Sequence, residues 1–304
     1  MSRVRLTNLE KVLWPEDGYT KAHLIKYLVA VSPVLLPHLR DRPLVFTRYP
    51  DGIHGKSFYQ KQKGPYAPRW IRSFVDHGGA GDIEYVLACD VEDLIWIGNQ
   101  ASIEIHAWLS RTFETDCPDT AVFDLDPAPP AGLPEVVQVA KTIRECLRTL
   151  GLESFPKTSG ATGLHIYLPI QPRYHYSRVR SFVQRVAQVV SDVMPGKVTL
   201  DRAVDRRSGR VYVDYLQNTR GKTIVAPYSP RAFDGAPVST PIAWDELEGL
   251  DPARFTIETV PTRVRLLGDL FSPVLHTRQE LDAAMKLLGI DPTTSGYPRP
   301  DDLP

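Results

Sequence analysis

The stretch VFDLDP places two aspartates, Asp124 and Asp126, one residue apart in an otherwise apolar run. Side chains alternate across a β-strand, so both carboxylates are expected on one face while Phe123 and Leu125 point to the other. Carboxylates this close repel each other unless a cation neutralises them, and Mg²⁺ and Mn²⁺ prefer such oxygen ligands. The spacing therefore indicates phosphoryl transfer with two metal ions, although a lone D-x-D also fits strand-end residues that accept backbone hydrogen bonds.

Two later segments show the same alternation of apolar and polar residues. The apolar residues of LHIYLPI leave His165 and Tyr167 on the opposite face, and the valines of VYVDYL leave Asp214 opposite them. Each of the three strands thus offers one apolar face and one polar face. We predict that Asp124, Asp126, Asp214 and His165 meet on one side of a sheet.

The turn KTSGATGLH leads into the strand that carries His165. Gly160 and Gly163 permit unusual backbone angles and let amides point at an anion, and Ser159 and Thr162 add hydroxyl donors. The segment is not a P-loop, which needs Gly-Lys-Ser/Thr at the start of a helix. It fits a cradle for a triphosphate, with His165 as a further phosphate donor, and it equally fits a tight turn followed by a structural histidine.

Three basic residues follow Asp214 closely. Arg220 and Lys222 lie in NTRGKT, and Arg231 ends YSPR. All three are within one or two strand lengths of Asp214, so we predict that they reach the same phosphates. The alternative is that they are surface cations of a hairpin.

The remaining elements position these residues. Helical spacing of apolar residues behind Thr20 predicts an N-terminal helix in TKAHLIKYLVAVSPVLLPHL. Two more helices are predicted in PEVVQVAKTIRECLRTL and SRVRSFVQRVAQVVSDVM, the second with Ser177 as its N-terminal cap. Further strands are predicted in PLVFTRY, IEYVLA, IEIHAW and TIVAPY. The alternation predicts an α/β fold whose helices pack on one face of a sheet and leave the other face free for a site.

The charges are balanced overall but segregated along the chain. The 36 Lys/Arg and 36 Asp/Glu residues give a net charge of zero, which argues against non-specific coating of nucleic acid. Residues 40–72 carry eight Lys/Arg against two acids and residues 171–231 twelve against four, whereas residues 76–120 carry ten acids and one Arg. This pattern fits a basic channel on a neutral body, and it also fits solvated charged faces.

The N-terminus, the apolar runs and the cysteine spacing predict the cellular location of the protein. The N-terminus has no secretory signal, the apolar runs are shorter than a membrane span, and Cys89, Cys117 and Cys146 lie far apart in the sequence. We therefore expect a cytoplasmic protein with no membrane partner and no disulfide framework.

Three other classes of protein use similar acids. A haloacid-dehalogenase-type phosphatase needs Thr or Val where this chain has Ala128, and its later G-D-x-x-x-D pattern fails at Pro273. A metal-dependent glycosyltransferase uses D-x-D but gives no reason for the basic stretches. A nucleic-acid binder with purely structural acids leaves the convergence of three strands unexplained.

With VFDLDP, SGATGLHIYLP and VYVDYLQNTRGKTIVAPYSPR in this order, the chain resembles the polymerase domain of bacterial DNA ligase D, a member of the archaeo-eukaryotic primase superfamily. NLEKVLWPEDGYTKAHL, GKSFYQK and IEIHAW extend the likeness over nearly the whole chain. The resemblance implies a primase-polymerase fold of the α/β (α+β) class. Its central sheet would be mostly antiparallel and carry the acidic site, with helices on the other face and an N-terminal lobe of helix and strands.

The resemblance also implies roles for the site residues. Two Mn²⁺ or Mg²⁺ ions would be bound by Asp124, Asp126 and Asp214. The incoming NTP or dNTP would be held by Ser159, His165, His106, Lys222 and Arg231. His106 would lie near the sugar and the others near the triphosphate. Many members carry lysine where this chain has Thr162, which leaves that phosphate contact open.

The partner implied by the resemblance is DNA with gaps or broken ends. Asn8, Lys11 and Lys21 would hold a 5′-phosphate, and Phe58 would stack on a template base with Lys61 nearby. Basic residues beside an aromatic ring suit this work. Ku and a DNA ligase are implied as further partners, and the nucleoid of a prokaryote as the location.

We therefore expect one primase-polymerase domain over residues 1–304. An N-terminal lobe over 1–120 would carry the elements that bind the 5′-phosphate, a catalytic sheet module would span 121–235, and a C-terminal extension over 236–304 would pack on the core. The expected activity is template-dependent extension of 3′ ends in non-homologous end joining, with a preference for ribonucleotides. The alternatives are a primase that needs no primer and a non-catalytic module that bridges DNA ends.

Overall fold

The computed structural model describes residues 3–78 and 81–290. The strands of these residues are β1 Val12–Trp14, β2 Tyr19–Thr20, β3 Leu44–Arg48, β4 Phe58–Gln60, β5 Ser73–Gly78, β6 Gly81–Val86, β7 Ser102–Trp108, β8 Thr120–Pro127, β9 Phe155–Thr158, β10 Leu164–Pro169, β11 Val198–Thr199, β12 Val211–Asp214 and β13 Thr223–Val225. The helices are α1 Lys21–Leu39, α2 Val91–Asn99, α3 Leu133–Thr149, α4 Tyr176–Val193, α5 Val260–Leu267, α6 Ser272–His276 and α7 Asp282–Leu287.

The strands form two main sheets. The first has five strands in the order β11-β12-β8-β10-β9, and all its pairings except β11 with β12 are antiparallel. The second has the order β13-β7-β3-β6-β5, with β4 also paired to β3, and is antiparallel throughout. The predicted α/β class with a mostly antiparallel sheet is therefore confirmed.

Helices α3 and α4 cover one face of the first sheet. Phe123, Leu125 and Val213 belong to the largest core cluster, which includes the apolar faces of both helices. These residues alternate with the aspartates along β8 and β12, because successive side chains of a strand point to opposite faces. The prediction that helices pack on one face and leave the acids on the other is confirmed.

The opposite face of the first sheet is open only in part. Val122 and Tyr167 pack with Ile224 of β13 and with Phe271 in a smaller buried cluster. The second sheet therefore lies against this part of the face. The aspartates follow further along β8, outside this buried cluster.

Helix α4 begins at Tyr176, with His175 in the N-cap position, so the prediction of Ser177 as the cap is wrong. Tyr176 is buried, and its hydroxyl donates a hydrogen bond to Ser110 Oγ at 3.0 Å. This anchor holds the first turn of the helix against the core two residues earlier than a cap at Ser177 would place it. Ser177 therefore lies inside the helix.

Helix α1 starts at Lys21 directly after Thr20, as predicted. Within the part of the chain that the structure describes, α1, with 19 residues, is the one helix long and apolar enough to cross a membrane by length and composition. The expectation that every apolar run is too short was therefore wrong for α1. In this fold more than half of the helix is buried, and Leu24 and Leu28 pack in the core cluster beside the second sheet.

The segment boundaries expected at residues 120 and 235 remain predictions. Strand β13, which lies within 121–235, pairs with β7 and so belongs to the second sheet. Residues after 236 contribute Leu247 and Met285 to the core of the first sheet and Val260 to that of the second. The rest of the predicted C-terminal extension, residues 291–304, lies outside the described residues.

Candidate functional site

A row of polar residues crosses four neighbouring strands of the first sheet. Asp214 of β12 pairs in register with Asp124 of β8, Asp124 with His165 of β10, and His165 with Lys157 of β9. Directly paired residues of antiparallel strands have Cβ atoms about 5 Å apart. The row thus brings together three of the four predicted residues and adds a lysine.

Asp124 is the buried centre of this row. Its Oδ1 lies 3.2 Å from His165 Nε2, and its Oδ2 accepts a hydrogen bond from Gln217 Nε2 at 3.3 Å. Burial raises the pKa of Asp124 to about 6, against the opposing effects of Gln217 and of cations that include Lys157. A negative charge at this position is therefore costly until a cation compensates for it.

Asp126 and Asp214 lie beside Asp124 on the same face. Asp126 is solvent-accessible at the end of β8, and partial burial together with the charges of Asp124 and Asp214 raises its pKa to about 7. Because the side chain is accessible, like-charge repulsion is the main cause that we infer. Burial and the charge of Asp124 also raise the pKa of Asp214, whose Oδ1 accepts hydrogen bonds from Tyr212 Oη and Leu216 N.

These carboxylates fit a divalent cation by chemistry but are not drawn together around one point. Within residues 3–78 and 81–290, no group of three or more His, Cys, Asp or Glu side chains has the spacing of a formed metal site. Asp124 and Asp214 are turned to Gln217 and Tyr212 instead. Burial raises the pKa values of all three carboxylates, and the charges of neighbouring aspartates add to the rise at Asp126 and Asp214. A Mg²⁺ or Mn²⁺ ion, which prefers hard oxygen ligands, would offset both effects.

The raised pKa of Asp126 predicts how stability depends on pH. In metal-free protein the folded state keeps this proton up to about pH 7, whereas an unfolded aspartate loses it near pH 4, so stability falls as the pH rises through that window. We expect Asp126→Asn to raise the melting temperature by roughly 2 °C at pH 8, a small rise because exposure screens the repulsion. The rise should be smaller at pH 5.5, because Asp126 is then protonated in the folded state and carries no charge for the substitution to remove. Thermal unfolding in EDTA at both pH values is the measurement, and an equal difference at both would contradict the prediction.

His165 and Lys157 form the buried end of the row. Burial, with the nearby Lys157, lowers the pKa of His165 far below its usual value, and burial lowers that of Lys157 as well. Lys157 Nζ bonds to Ser239 Oγ and to Thr158 O, and His165 Nδ1 has no hydrogen-bond partner. His165 therefore offers Nε2 to Asp124 here, and its predicted contact with a phosphate remains a prediction.

The loop 159–163 joins β9 to β10 and lies against β8. Ser159 Oγ accepts hydrogen bonds from Ala161 N and Gly163 N at 3.1 and 3.0 Å, so this hydroxyl organises the loop. Gly160 has a φ of +74°, and a Cβ on Gly163 would come within 2.2 Å of Leu125 O. The glycines therefore serve backbone geometry and close approach to β8, and Thr162 is left exposed at the tip.

Arg231 connects this loop to the second sheet. Its Nη1 donates to Ser159 O at 2.6 Å and its Nε to Glu104 Oε1 at 2.9 Å. The other oxygen of Glu104 lies 3.1 Å from His106 Nε2. Despite its burial, Glu104 has its pKa lowered to about 2 by the hydrogen bond from His106 and by Arg231. One ionised carboxylate thus holds two of the predicted nucleotide-binding residues, His106 and Arg231.

The other two predicted cations differ in position. Lys222 lies close enough to Asp124 and Asp214 for its positive charge to offset part of the rise in the pKa of both carboxylates, as expected for a residue of the same site. Arg220 is instead paired with Asp76 at 2.6 Å and with Asp116 at 2.7 Å. The structure therefore does not bring Arg220 to the aspartates, and its predicted nucleotide contact remains untested.

The residues predicted to bind a 5′-phosphate lie together at the start of the chain. Lys11 N donates to Asn8 O at 3.1 Å, and Lys21 N donates to Lys11 O at 2.8 Å. Burial and the neighbouring charge of Lys11 lower the pKa of Lys21, whose Nζ donates to Asn99 O at 3.1 Å. Two ammonium groups close enough to affect each other form an arrangement that an anion would stabilise.

Lys11 Nζ is paired with Asp51 at 2.9 Å. Phe58 is 47 % exposed on β4, with Lys56 Nζ 5.7 Å from its ring centroid, and Lys61 is exposed after the same strand. Phe58, Lys61, Lys11 and Asn8 are therefore accessible to a large ligand, whereas Lys21 is only 5 % exposed.

Three residues of the site were not predicted from the sequence. Glu104 lies two residues before His106 on the same face of β7, so the alternation of IEIHAW could have revealed it. Lys157 is two residues before Ser159, but only the register of β9 with β10 places it beside His165. Nothing in the sequence around Gln217 pointed to its contact with Asp124.

The chain is similar in sequence to a known protein family and to several of its members. The family model "LigD, primase-polymerase domain" matches residues 20–271. The chain is 35 % identical over 280 residues to the bifunctional non-homologous end joining protein LigD of Bacillus subtilis, covering 91 % of this chain and 45 % of that protein. It is 34 % identical to the multifunctional LigD of Mycolicibacterium smegmatis over 90 % of this chain and 36 % of that protein. The chain thus spans less than half the length of these curated relatives.

A solved structure agrees with these matches. The polymerase domain from Mycobacterium tuberculosis ligase D, in complex with DNA, superposes with a TM-score of 0.86 at 32 % identity, covering 92 % of this chain and all of that one. The chain is therefore an enzyme of the nucleotidyltransferase class with a primase-polymerase fold. Within that class it belongs to the LigD primase-polymerase domain family. The resemblance first drawn from its motifs is confirmed.

Proposed function

We propose that this chain is a template-dependent nucleotidyltransferase that extends 3′ ends at gaps and broken DNA ends, with two Mn²⁺ or Mg²⁺ ions. The row from Asp214 through Asp124 to His165, with Asp126 beside it, carries the proposal, because it gathers acids that repel each other on one face of the first sheet. Lys222 and Arg231 supply the positive charge that a triphosphate needs on the same side.

The side chains of this site would have different roles. Asp124, Asp126 and Asp214 would hold the ions, which when bound lower the pKa of a primer 3′-hydroxyl and stabilise a pyrophosphate leaving group. Arg231, fixed between Ser159 O and Glu104, would orient the triphosphate, and His106 would lie against the sugar. The protein would contribute mainly by positioning and electrostatics.

DNA is the proposed polymeric partner. The solved relative binds DNA, and Asn8, Lys11, Lys21, Phe58 and Lys61 are the proposed contacts of this chain, with the lysines at a 5′-phosphate. Action in end joining beside Ku and a DNA ligase, ribonucleotide preference and a cytoplasmic, nucleoid-associated location are proposed from the family. Basic side chains and an exposed aromatic ring fit a DNA backbone and an unstacked base.

Primer extension tests the proposed function. A gapped DNA with a 5′-phosphate is incubated with Mn²⁺ or Mg²⁺ and with NTPs or dNTPs, and the primer length is measured. We expect metal-dependent addition of the complementary nucleotide, faster with NTPs, and no product in EDTA. Binding without extension under either metal would instead support an end-bridging module, and products on templates without primer would support a primase.

Lys11→Ala and Lys21→Ala are expected to reduce the preference for a 5′-phosphate. Each removes one ammonium group from the proposed phosphate site, so affinity for gapped DNA with a 5′-phosphate should fall about tenfold while affinity for the same DNA with a 5′-hydroxyl changes little. Fluorescence anisotropy with the two DNAs measures this difference. Lys26→Ala, an exposed lysine of α1 outside the proposed site, is the control. An equal loss on both DNAs would contradict a specific phosphate contact.

A further inference from the structure

Phe233 is an exposed aromatic residue at the tip of an irregular hairpin that spans residues 228–239. Backbone hydrogen bonds from Ser239 N to Ser229 O and from Arg231 N to Pro237 O join its two arms. A turn closes the tip through Ala236 N and Phe233 O at 3.1 Å. The Phe233 side chain is 47 % exposed, the same fraction as that of Phe58.

The hairpin tip is held against the N-terminal part of the chain. Gly235 N donates to Asp17 Oδ2 at 2.8 Å, and Trp14 Nε1 donates to Arg231 O at 3.3 Å. His54 Nε2 lies 3.5 Å from Asp234 Oδ1. The ring of Phe233 is therefore presented by a fixed backbone.

This position lies between the two proposed binding regions. On one side, Arg231 contacts the loop 159–163 beside the aspartates. On the other side, His54 belongs to the turn that follows Asp51, the residue paired with Lys11. A strand that runs from the nucleotide site to a bound 5′-phosphate would pass this hairpin, and the first bases along it would be unpaired or at a duplex end.

The surroundings of Phe233 suit a nucleobase. Arg231 Cζ lies 5.5 Å from the ring centroid, so a guanidinium group adjoins the ring while about half of the side chain faces solvent. Single exposed apolar residues are common on proteins, and Phe113, at 71 % exposure, is another example in this chain. The guanidinium group of Arg231 and the position between the two proposed binding regions distinguish Phe233, because an aromatic ring beside a cation can stack on any base.

We propose that Phe233 stacks on an unpaired DNA base between the nucleotide site and the 5′-phosphate site. The inference rests on the proposed function and adds a base-binding residue to it. Two bases have the required chemistry: the templating base and the base of the 5′-terminal nucleotide downstream of the gap.

The test places 2-aminopurine, a fluorescent base that dims when stacked, at one or the other of these positions in a gapped DNA. Wild-type protein, Phe233→Ala and Phe113→Ala are titrated with each DNA, and primer extension is measured in parallel. We expect Phe233→Ala to bind roughly 5- to 100-fold more weakly. We also expect brighter fluorescence than with wild-type protein at one of the two positions, while Phe113→Ala behaves as wild type. Phe233→Trp should restore both signals.

The outcomes separate this inference from the proposed function. A change at the templating position or at the 5′-terminal position supports stacking and identifies the base. If wild-type protein binds and extends the DNA but Phe233→Ala matches it in affinity and at both fluorescent positions, the stacking inference is overturned alone. If wild-type protein neither binds nor extends gapped DNA, the proposed function fails and the stacking inference fails with it.

Discussion

Asp124→Asn and Asp126→Asn are each expected to lower the rate of nucleotide addition by about 10³-fold or more while changing DNA affinity less than about 3-fold. Each change removes one negative charge with little change in shape, and such electrostatic groups supply the largest single effects in transfer reactions. The measurements are single-turnover primer extension and anisotropy on the same gapped DNA.

The control for this pair is Asp116→Asn. Asp116 is 58 % exposed and pairs with Arg220, which the structure keeps away from the aspartate row. We expect this variant to extend primers at the wild-type rate. Normal extension by Asp126→Asn would show that the aspartate row is not the reactive site, and a parallel loss of DNA binding would indicate a structural defect instead.

Glu104→Gln is expected to raise the KM for the incoming nucleotide roughly 10- to 100-fold with a smaller change in kcat. Glu104 holds both Arg231 and His106 through charge-assisted hydrogen bonds, each worth about 1.5–3 kcal/mol. The glutamine keeps the shape but loses the charge that fixes the two residues. Steady-state extension at varied NTP concentration separates KM from kcat.

The pH profile gives a second readout for Glu104. Because its pKa is lowered to about 2, Glu104 is ionised throughout the range in which the enzyme can be assayed, so raising the pH should not change the difference between Glu104→Gln and wild type. Glu84→Gln on β6 of the same sheet is the control, since Glu84 pairs with Lys63 and Ser73 away from the site. An unchanged KM in Glu104→Gln would remove Glu104 from the nucleotide site.

The alternation of side chains was enough to predict which residues of each strand are polar and on which face. It placed Asp124 with Asp126 and put His165 and Asp214 opposite their apolar neighbours, and the structure confirms these faces. Alternation is a local property with a period of two residues, so a short stretch of sequence carries it completely.

The order of the strands and the partners of the charged residues could not be predicted from the sequence in the same way. Arg220 is 144 positions from Asp76, and proximity to Asp214 along the chain suggested phosphates as its partners instead. Glu104 and Arg231 are 127 positions apart, and the sequence likewise gave no sign that they pair. Such pairs depend on how two sheets face each other, which spacing along one strand does not specify.

Strand β13 limits how this fold can be divided. It follows the strands of the first sheet along the chain, yet Thr223, Ile224 and Val225 pair with Trp108, Ala107 and His106. A cut near residue 120 would leave β7 with an exposed edge in one fragment and β13 without its partner in the other. Two such halves are expected to work only when they reassociate, so a split version of the enzyme would report the association of whatever proteins are fused to its halves.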